Sequence, residues 1–148
     1  DRSKTLHVLS LESLALDSMP SELTSPNTLN VLSLSINDIQ VLQVDILNSL
    51  TSLRELSIAR NKVLELPPEI GRLTNLTKLD LSGNFIRSIP VTIGDLKSLV
   101  VLDMRNNQLD MLPPHLGNLN LLRDLHVENN PLLAPPAGGA CWWSHVHP

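Results

Sequence analysis

Leucines recur along this chain at a nearly constant interval. Six of them open successive units, and the steps between them are 23, 24, 23, 23 and 23 residues. These opening positions are Leu6, Leu29, Leu53, Leu76, Leu99 and Leu122. A period of about 20 to 50 residues is typical of solenoids, in which one unit cannot bury its apolar face alone and neighbours share a core. The pattern therefore predicts six stacked, structurally equivalent units.

Within each unit, apolar and polar positions alternate before the pattern ends on an asparagine. The third unit reads Leu53, Leu56, Ile58 and Asn61, which follows L-x-x-L-x-L-x-x-N. A period of two predicts a short strand with one face turned inward. An amide at the end of the strand is suited to bond backbone groups that strand pairing leaves open. We therefore predict an asparagine ladder formed by Asn37, Asn61, Asn84, Asn107 and Asn130.

The second half of each unit predicts a return path on the opposite side of the core. Leu66-Pro67, Ile89-Pro90 and Leu112-Pro113 occupy equivalent positions in three units. Proline has a fixed φ and no N–H group, so it stops regular strand pairing at these points. The second unit departs from the pattern, because it has 24 residues and no proline after Leu42. The first unit has Leu14 where the other units have asparagine.

These motifs carry a family resemblance. The repeated L-x-x-L-x-L-x-x-N segment is followed by L-P-x-x-I-G-x-L, which is most complete over Leu66 to Leu73, and together they resemble the leucine-rich-repeat family. The 23-residue unit is similar to that of intracellular Ras-pathway scaffolds, plant Ras-group leucine-rich-repeat proteins and polarity scaffolds. The resemblance implies an α/β fold, a right-handed solenoid with a curved parallel sheet on its concave face. Irregular or short helical segments would form the convex face.

The resemblance covers about residues 5 to 136 and sets the expected domain organisation. We expect a leucine-rich-repeat domain of six repeats over residues 1–136 and a C-terminal tail over residues 137–148. The tail has lost the repeat pattern, and two alternatives stay open for it. It is either disordered or a makeshift cap in which Trp142 and Trp143 fold onto the last repeat. Neither end shows the polar cap that a solenoid needs, which suggests a fragment of a longer protein.

The residues between the strand leucines are predicted to face solvent on the concave side. Units one and two place Ser, Val and Ile there with Glu12 as the only charge, whereas the later units are rich in charge. The predicted protein-binding residues are Glu55, Arg60, Lys78, Asp80, Asp103, Arg105, Asp124, His126 and Glu128. Stacking should place Asp80 beside Asp103, with Lys78 and Arg105 close enough to offset their repulsion. A plain solvated face and a patch for a partner with a basic hot spot both fit this pattern.

Composition narrows the possible functions. Hydrophobic residues make up 42% of the chain but aromatic residues only 2%, so the core must be aliphatic. The formal charge of −4, without clustered Lys and Arg, argues against nucleic acid binding. No apolar run approaches the roughly 20 residues that span a bilayer. Cys141 is the only cysteine, which leaves no internal disulfide and favours a reducing, cytoplasmic compartment.

Two groups of residues could carry chemistry, and neither is well supported. Cys141, His145 and His147 offer three zinc ligands without an evident fourth. Ser57 and His126 share a concave column with Asp103, but an open sheet provides no pocket and no oxyanion site. We therefore expect neither an enzyme nor a cofactor or metal site.

The expected function is protein binding. We interpret the chain as a monomeric intracellular signalling scaffold or adaptor that binds a protein partner through its concave face. In the Ras-pathway scaffolds that it resembles, the implied partners are small GTPases and a phosphatase. The alternative is the recognition arm of a larger leucine-rich-repeat kinase, cyclase, GTPase or immune receptor.

Overall fold

The computed structural model describes residues 6–24 and 28–133. Within these residues, six three-residue strands pair in parallel, in chain order, as one sheet. They are β1 (Val8–Ser10), β2 (Val31–Ser33), β3 (Glu55–Ser57), β4 (Lys78–Asp80), β5 (Val101–Asp103) and β6 (Asp124–His126). Equivalent residues of successive units face each other, as Leu56 faces Leu79. We call the side of the sheet turned away from the core the concave face.

Short helical segments run along the opposite side. The 3-10 helices are Ser21–Thr24, Pro68–Arg72, Val91–Asp95 and Pro114–Asn118, and α1 is an α-helix over Val44–Ser49. Pro67, Pro90 and Pro113 each precede a 3-10 helix in extended conformation, with φ between −70° and −66°. The unit that lacks this proline and has one extra residue forms α1 in place of a 3-10 helix.

The I-G pair of the repeat has a packing explanation. A Cβ atom on Gly71 would lie 2.7 Å from the carbonyl oxygen of Thr92 in the next unit. A Cβ atom on Gly94 would lie 2.7 Å from the carbonyl oxygen of His115. Glycine at these positions allows the convex segments of neighbouring units to approach each other closely.

The core is a continuous aliphatic column between the sheet and the helical segments. Leu56, Leu79 and Leu102 are at most 1% exposed, as are most inward-facing leucines and isoleucines of the inner units. The predicted α/β leucine-rich-repeat solenoid, with a parallel sheet and short helical segments opposite it, is confirmed. Residues 6–24 and 28–133 contain no helix long and apolar enough to cross a membrane. The tail over 137–148, including Trp142 and Trp143, lies outside the described residues.

Candidate protein-binding surface

The asparagine ladder fixes the edge of the concave face. Asn84 is 3% exposed, and its Nδ2 donates to the carbonyl oxygens of Leu81 at 3.1 Å and Ile58 at 3.0 Å. Its Oδ1 accepts a hydrogen bond of 3.0 Å from the backbone N–H of Val63. Leu81 belongs to the same unit, whereas Ile58 and Val63 belong to the preceding one. The side chain therefore closes its own strand end and joins two units.

The other ladder asparagines repeat this arrangement. Nδ2 of Asn107 donates to the carbonyl oxygen of Leu81 in the preceding unit at 2.9 Å. Oδ1 of Asn130 accepts from the N–H of Leu109 at 3.0 Å. Oδ1 of Asn37 accepts from the N–H groups of both Leu14 and Leu16 in the first unit, at 3.0 Å each. Every rung thus satisfies backbone groups that would otherwise be buried without partners.

The residue before each of these strand-end positions adopts a left-handed conformation. We call these six residues the turn column, and their φ values lie between 55° and 69°. They are Ser13, Ile36, Arg60, Gly83, Asn106 and Asn129. The backbone N–H of Ile36 donates to the carbonyl oxygen of Ala59 at 2.9 Å, and that of Arg60 donates to Ser82 at 2.8 Å. The column therefore bonds to the next unit through its backbone and turns its side chains away from the core.

The first half of the concave face is rich in hydroxyl groups. We call Glu12, Ser33, Ser35 and Ser57 the hydroxyl region. The hydroxyl oxygens of Ser35 and Ser57 lie 2.6 Å apart, and the hydroxyl of Ser33 donates to Oε1 of Glu12 at 2.5 Å. Val8 and Ile36 flank the region and are 61% and 46% exposed. These residues were not among the predicted binding residues, because each serine alone is an ordinary strand residue.

The second half carries most of the charge. Eight of its residues form what we call the charged region: Glu55, Lys78, Asp80, Asp103, Arg105, Asp124, His126 and Glu128. Glu55 faces Lys78 across β3 and β4, and Asp80 faces Asp103 across β4 and β5. The stacking of the two aspartates is as predicted from the repeat register. Arg60 lies beside this region in the turn column and is exposed.

Each of the two facing aspartates is bound by a residue two positions further along its own unit. Oδ1 of Asp80 accepts hydrogen bonds from the backbone N–H and the hydroxyl of Ser82, at 3.0 and 2.6 Å. Oδ2 of Asp103 accepts from Nη2 of Arg105 at 2.7 Å, and Oδ1 accepts from Nε at 3.0 Å. Both partners lie just past the end of the strand, and residues two apart along an extended segment share a face, which explains why these pairs form.

The expected compensation of charge is therefore only half correct. Arg105 does neutralise Asp103, but Lys78 forms no salt bridge within the described parts of the chain. Asp103 also differs from the expected solvent-facing residue, since its side chain is 11% exposed beneath the guanidinium group. Among the described residues, Asp80 forms no salt bridge, and its repulsion with Asp103 is reduced because Arg105 covers the latter.

The protonation of Asp103 follows from this geometry. Burial by itself raises the pKa of this carboxyl group. The hydrogen bonds from Arg105, together with the charges of Arg105 and His126, outweigh burial, so that the pKa is lowered from its ordinary value. The same side-chain hydrogen bond raises the pKa of Arg105. Both groups therefore stay ionised at neutral pH and form a fixed dipole on the concave face.

The remaining predicted residues lie at the last strand. Asp124 and Glu128 are exposed, and Nδ1 of His126 lies 4.0 Å from Oε1 of Glu128. In the adjacent turn column, Nδ2 of Asn129 donates to Oδ1 of Asn106 at 2.8 Å. These contacts order exposed side chains without enclosing a pocket.

The register separates the three residues that were considered for nucleophilic chemistry. Asp103 and His126 face each other, but Ser57 faces Asp80 and is two strands away from Asp103. No group of three or more His, Cys, Asp or Glu side chains within residues 6–24 and 28–133 could hold a metal ion. Cys141, His145 and His147 lie outside the described residues.

Comparison with known families matches a leucine-rich repeat region over residues 5–133. The chain belongs to the leucine-rich-repeat family. Members of this family are typically non-enzymatic modules that bind other proteins. The more specific likeness to the intracellular Ras-pathway class stays a prediction. A comparison with curated proteins found no match.

Several solved leucine-rich-repeat structures are similar. A leucine-rich-repeat protein of Leptospira interrogans is 38% identical, with a TM-score of 0.83, over 86% of this chain and 32% of that protein's chain. An internalin of Listeria monocytogenes is 30% identical, with a TM-score of 0.75, over 84% of this chain and 35% of its own. Drosophila Toll, solved in its complex with Spatzle, is 27% identical, with a TM-score of 0.80, over 96% of this chain and 19% of the Toll chain. The chain thus spans about a third or less of these relatives.

Proposed function

We propose that this chain binds a protein partner through its concave face and acts as an intracellular signalling scaffold or adaptor. The observation that carries the proposal is the charged region, in which two aspartates face each other on an open sheet surface. Asp103 forms a salt bridge with Arg105, whereas the carboxylate of Asp80 is hydrogen-bonded to Ser82 and interacts with Arg105 only at longer range. A cationic group of a partner placed over Asp80 would relieve the remaining repulsion.

The free charges favour a basic partner surface. Once the Asp103–Arg105 pair is set aside, Glu55, Asp80, Asp124 and Glu128 outnumber the cations of this face. Such complementarity steers association and determines specificity more than it determines affinity. The apolar side chain of Ile36, 46% exposed, lies beside the hydroxyl region on the same face, two units before Asp80, and offers a place for an aliphatic contact. We therefore propose a partner that presents a Lys or Arg beside an aliphatic side chain.

The class of partner and the compartment are also proposed. The resemblance to Ras-pathway scaffolds supports a small GTPase or a phosphatase as the partner. The single cysteine supports a cytoplasmic location, and the chain is proposed to be a monomer. Cell fractionation and light scattering of the purified chain test the last two statements. A membrane-enclosed location or a stable dimer would contradict them.

Affinity capture from cell extract tests the proposed surface. Asp80→Arg/Asp124→Arg reverses two concave charges and keeps both residues of the Asp103–Arg105 pair. Glu22→Arg/Asp95→Arg reverses two exposed charges in the convex helical segments and is the matched control. A partner retained by wild type and the control but lost by the concave variant supports the proposal. Equal retention by all three chains would exclude the concave face as the binding site.

A second candidate function is the recognition arm of a larger protein. The short span relative to its relatives favours it, since the chain covers 32% of the Leptospira protein and 19% of the Toll chain. Six strands about 4.8 Å apart and about 17 Å long cover on the order of 450 Å², against about 800 Å² per partner in a stable interface. Immunoblotting of the native protein decides this, because a free-standing module would migrate near 16.3 kDa.

A further inference from the structure

The last unit has an incompletely covered apolar surface. Leu122 is only partly buried, whereas Leu99 at the same position of the preceding unit is 0% exposed. Leu132 is likewise partly buried, whereas Leu109 is 0% exposed. We call the surface formed by Leu122 and Leu132, with the exposed side chains of Leu121 and Leu133 beside it, the outer face. In the inner units the equivalent core positions are covered by the following repeat.

The last unit is otherwise well formed. Leu125 is 6% and Val127 is 4% exposed, and the ladder reaches Asn130 with its hydrogen bonds to the preceding unit intact. Leu121 and Leu133 add large exposed apolar groups, at 56% and 85%. A solenoid end of this kind needs a covering segment.

The chain carries a suitable segment directly after this unit. Leu133 is the last described residue before the tail, and Trp142 and Trp143 follow about nine residues later. They are the only tryptophans in a chain with one Phe and no Tyr. We propose that these two side chains pack on the outer face and cap the solenoid. The proposal is independent of the proposed function.

Distance favours the outer face over other apolar surfaces. Nine residues reach up to about 30 Å when extended, and the outer face belongs to the same unit as Leu133. The apolar groove at Val41, Val44 and Leu64, of about 350 Å³, lies three to four strand spacings away. The open face of the first unit lies five strand spacings away. Closing the shorter loop costs less conformational entropy.

The tryptophans themselves supply the first test. Their fluorescence reports only on the tail, because the repeats contain no other tryptophan and no tyrosine. We expect the folded full-length chain to emit at shorter wavelength than the chain in denaturant, and to resist quenching by acrylamide. Emission and quenching identical to those of the unfolded chain would overturn the proposal.

Two matched variants locate the site. Leu133 and Leu64 occupy the same position, three residues after a ladder asparagine, and both are exposed at 85% and 49%. Replacement by Asp is therefore not expected to unfold either unit. We expect Leu133→Asp to shift the emission to longer wavelength and Leu64→Asp to leave it unchanged. A shift with Leu64→Asp alone would place the tryptophans in the groove and overturn the proposal.

The reactivity of the single thiol provides an independent test of docking. Cys141 adjoins Trp142, so docking should slow its reaction with a thiol reagent relative to the unfolded chain, and Leu133→Asp should restore the fast reaction. The protection should not change on dilution, because the cap and the outer face belong to one molecule. Protection that disappears on dilution would mean that the tail covers a second copy, which contradicts a cap within one chain.

Discussion

Two columns of residues run side by side along the end of the sheet and obey different constraints. The asparagine ladder points inward, and its members from Asn37 to Asn107 are at most 7% exposed. The turn column lies one residue earlier, and its larger side chains, such as Ile36 and Arg60, are exposed. The ladder uses one residue type five times, whereas the turn column uses five types in six units. In the ladder the side chain must form the hydrogen bonds, so the residue type is constant. In the turn column only the left-handed backbone conformation is constant, so the residue type varies.

The two columns also have different structural roles at the edge of the concave face. An amide is needed in the ladder because it must both donate and accept within one buried turn. The turn column needs only a tolerable left-handed φ, which leaves its side chains free to vary. Sequence variety at the concave edge is therefore compatible with a fixed scaffold, which is what a binding surface requires.

The largest expected effect is that of Asn84→Ala. It leaves the buried N–H of Val63 without its partner and removes one of the two amide hydrogen bonds to each of the Leu81 and Ile58 carbonyl oxygens, which Asn107 and Asn61 also bond. We expect a loss of about 2–3 kcal/mol in the free energy of unfolding, measured with urea. The control, Asn106→Ala, removes an exposed hydrogen bond to Asn129 and a favourable left-handed residue, and should cost about 1 kcal/mol or less. Equal losses would mean that the ladder has no special role.

The next effect concerns the single glycine of the turn column. Gly83 has a φ of 69°, and a Cβ there would lie 3.3 Å from the backbone nitrogen of Arg60. Gly83→Ala should therefore lower the free energy of unfolding by about 1–2 kcal/mol. Ser82→Ala serves as the neighbouring control, although it removes the hydroxyl bond to Asp80. A Gly83→Ala chain as stable as wild type would contradict the backbone constraint.

A gain of stability is expected at Ile36. Its φ of 58° is unfavourable for a β-branched residue, and its side chain is 46% exposed, so that little packing is lost on replacement. We expect Ile36→Asn to raise the free energy of unfolding by about 0.5–1 kcal/mol, since Asn tolerates this conformation better. Ile36→Val keeps the β-branch and should give no gain. A loss of stability in Ile36→Asn would show that the apolar contacts of Ile36 outweigh its backbone strain.

The smallest expected effect is on the pH dependence of stability, which arises in the charged region and not in the two columns. The folded-state pKa of Asp103 is lowered, so its contribution to stability is present above the unfolded-state pKa and is lost as pH falls through the folded-state pKa. In acid titrations of the unfolding midpoint, Arg105→Gln should reduce this acid-dependent loss. Lys78→Gln, which removes a cation without a salt bridge in the described residues, should leave it unchanged. An identical pH profile for wild type and Arg105→Gln would contradict the link.

The fold was predictable because every unit repeats the same pattern of apolar and polar residues. The spacing of Leu53, Leu56 and Ile58 recurs with the same polarity in the other units, so a departure from the pattern in one unit does not change the predicted fold. The register followed directly, and with it the facing of Asp80 and Asp103. Features that occur in one unit only were less accessible, as α1 shows: its extra residue and missing proline predicted an irregularity but not an α-helix.

The left-handed turn column was not predicted, although its signal is present. Gly83, Asn106 and Asn129 are residue types that tolerate positive φ, but Ile36 and Arg60 at the same position conceal the pattern. The burial of Asp103 beneath Arg105 was also not predicted. The signal for this pair is the spacing of two along an extended segment, which places both side chains on one face. The depth of Asp103 could not be read from spacing, because it depends on how Arg105 folds over it.

The direction of the ladder hydrogen bonds has a consequence for local opening of the molecule. Each asparagine bonds to backbone groups of the preceding unit, so the amide of Val63 is shielded by Asn84 and that of Ile86 by Asn107. Separation of one unit from its neighbour therefore exposes the amides on the N-terminal side of the break. Amide hydrogen exchange should follow a linear sequence of nearest-neighbour openings. The exchange rate at a given turn then reports on the unit that follows it and not on its own.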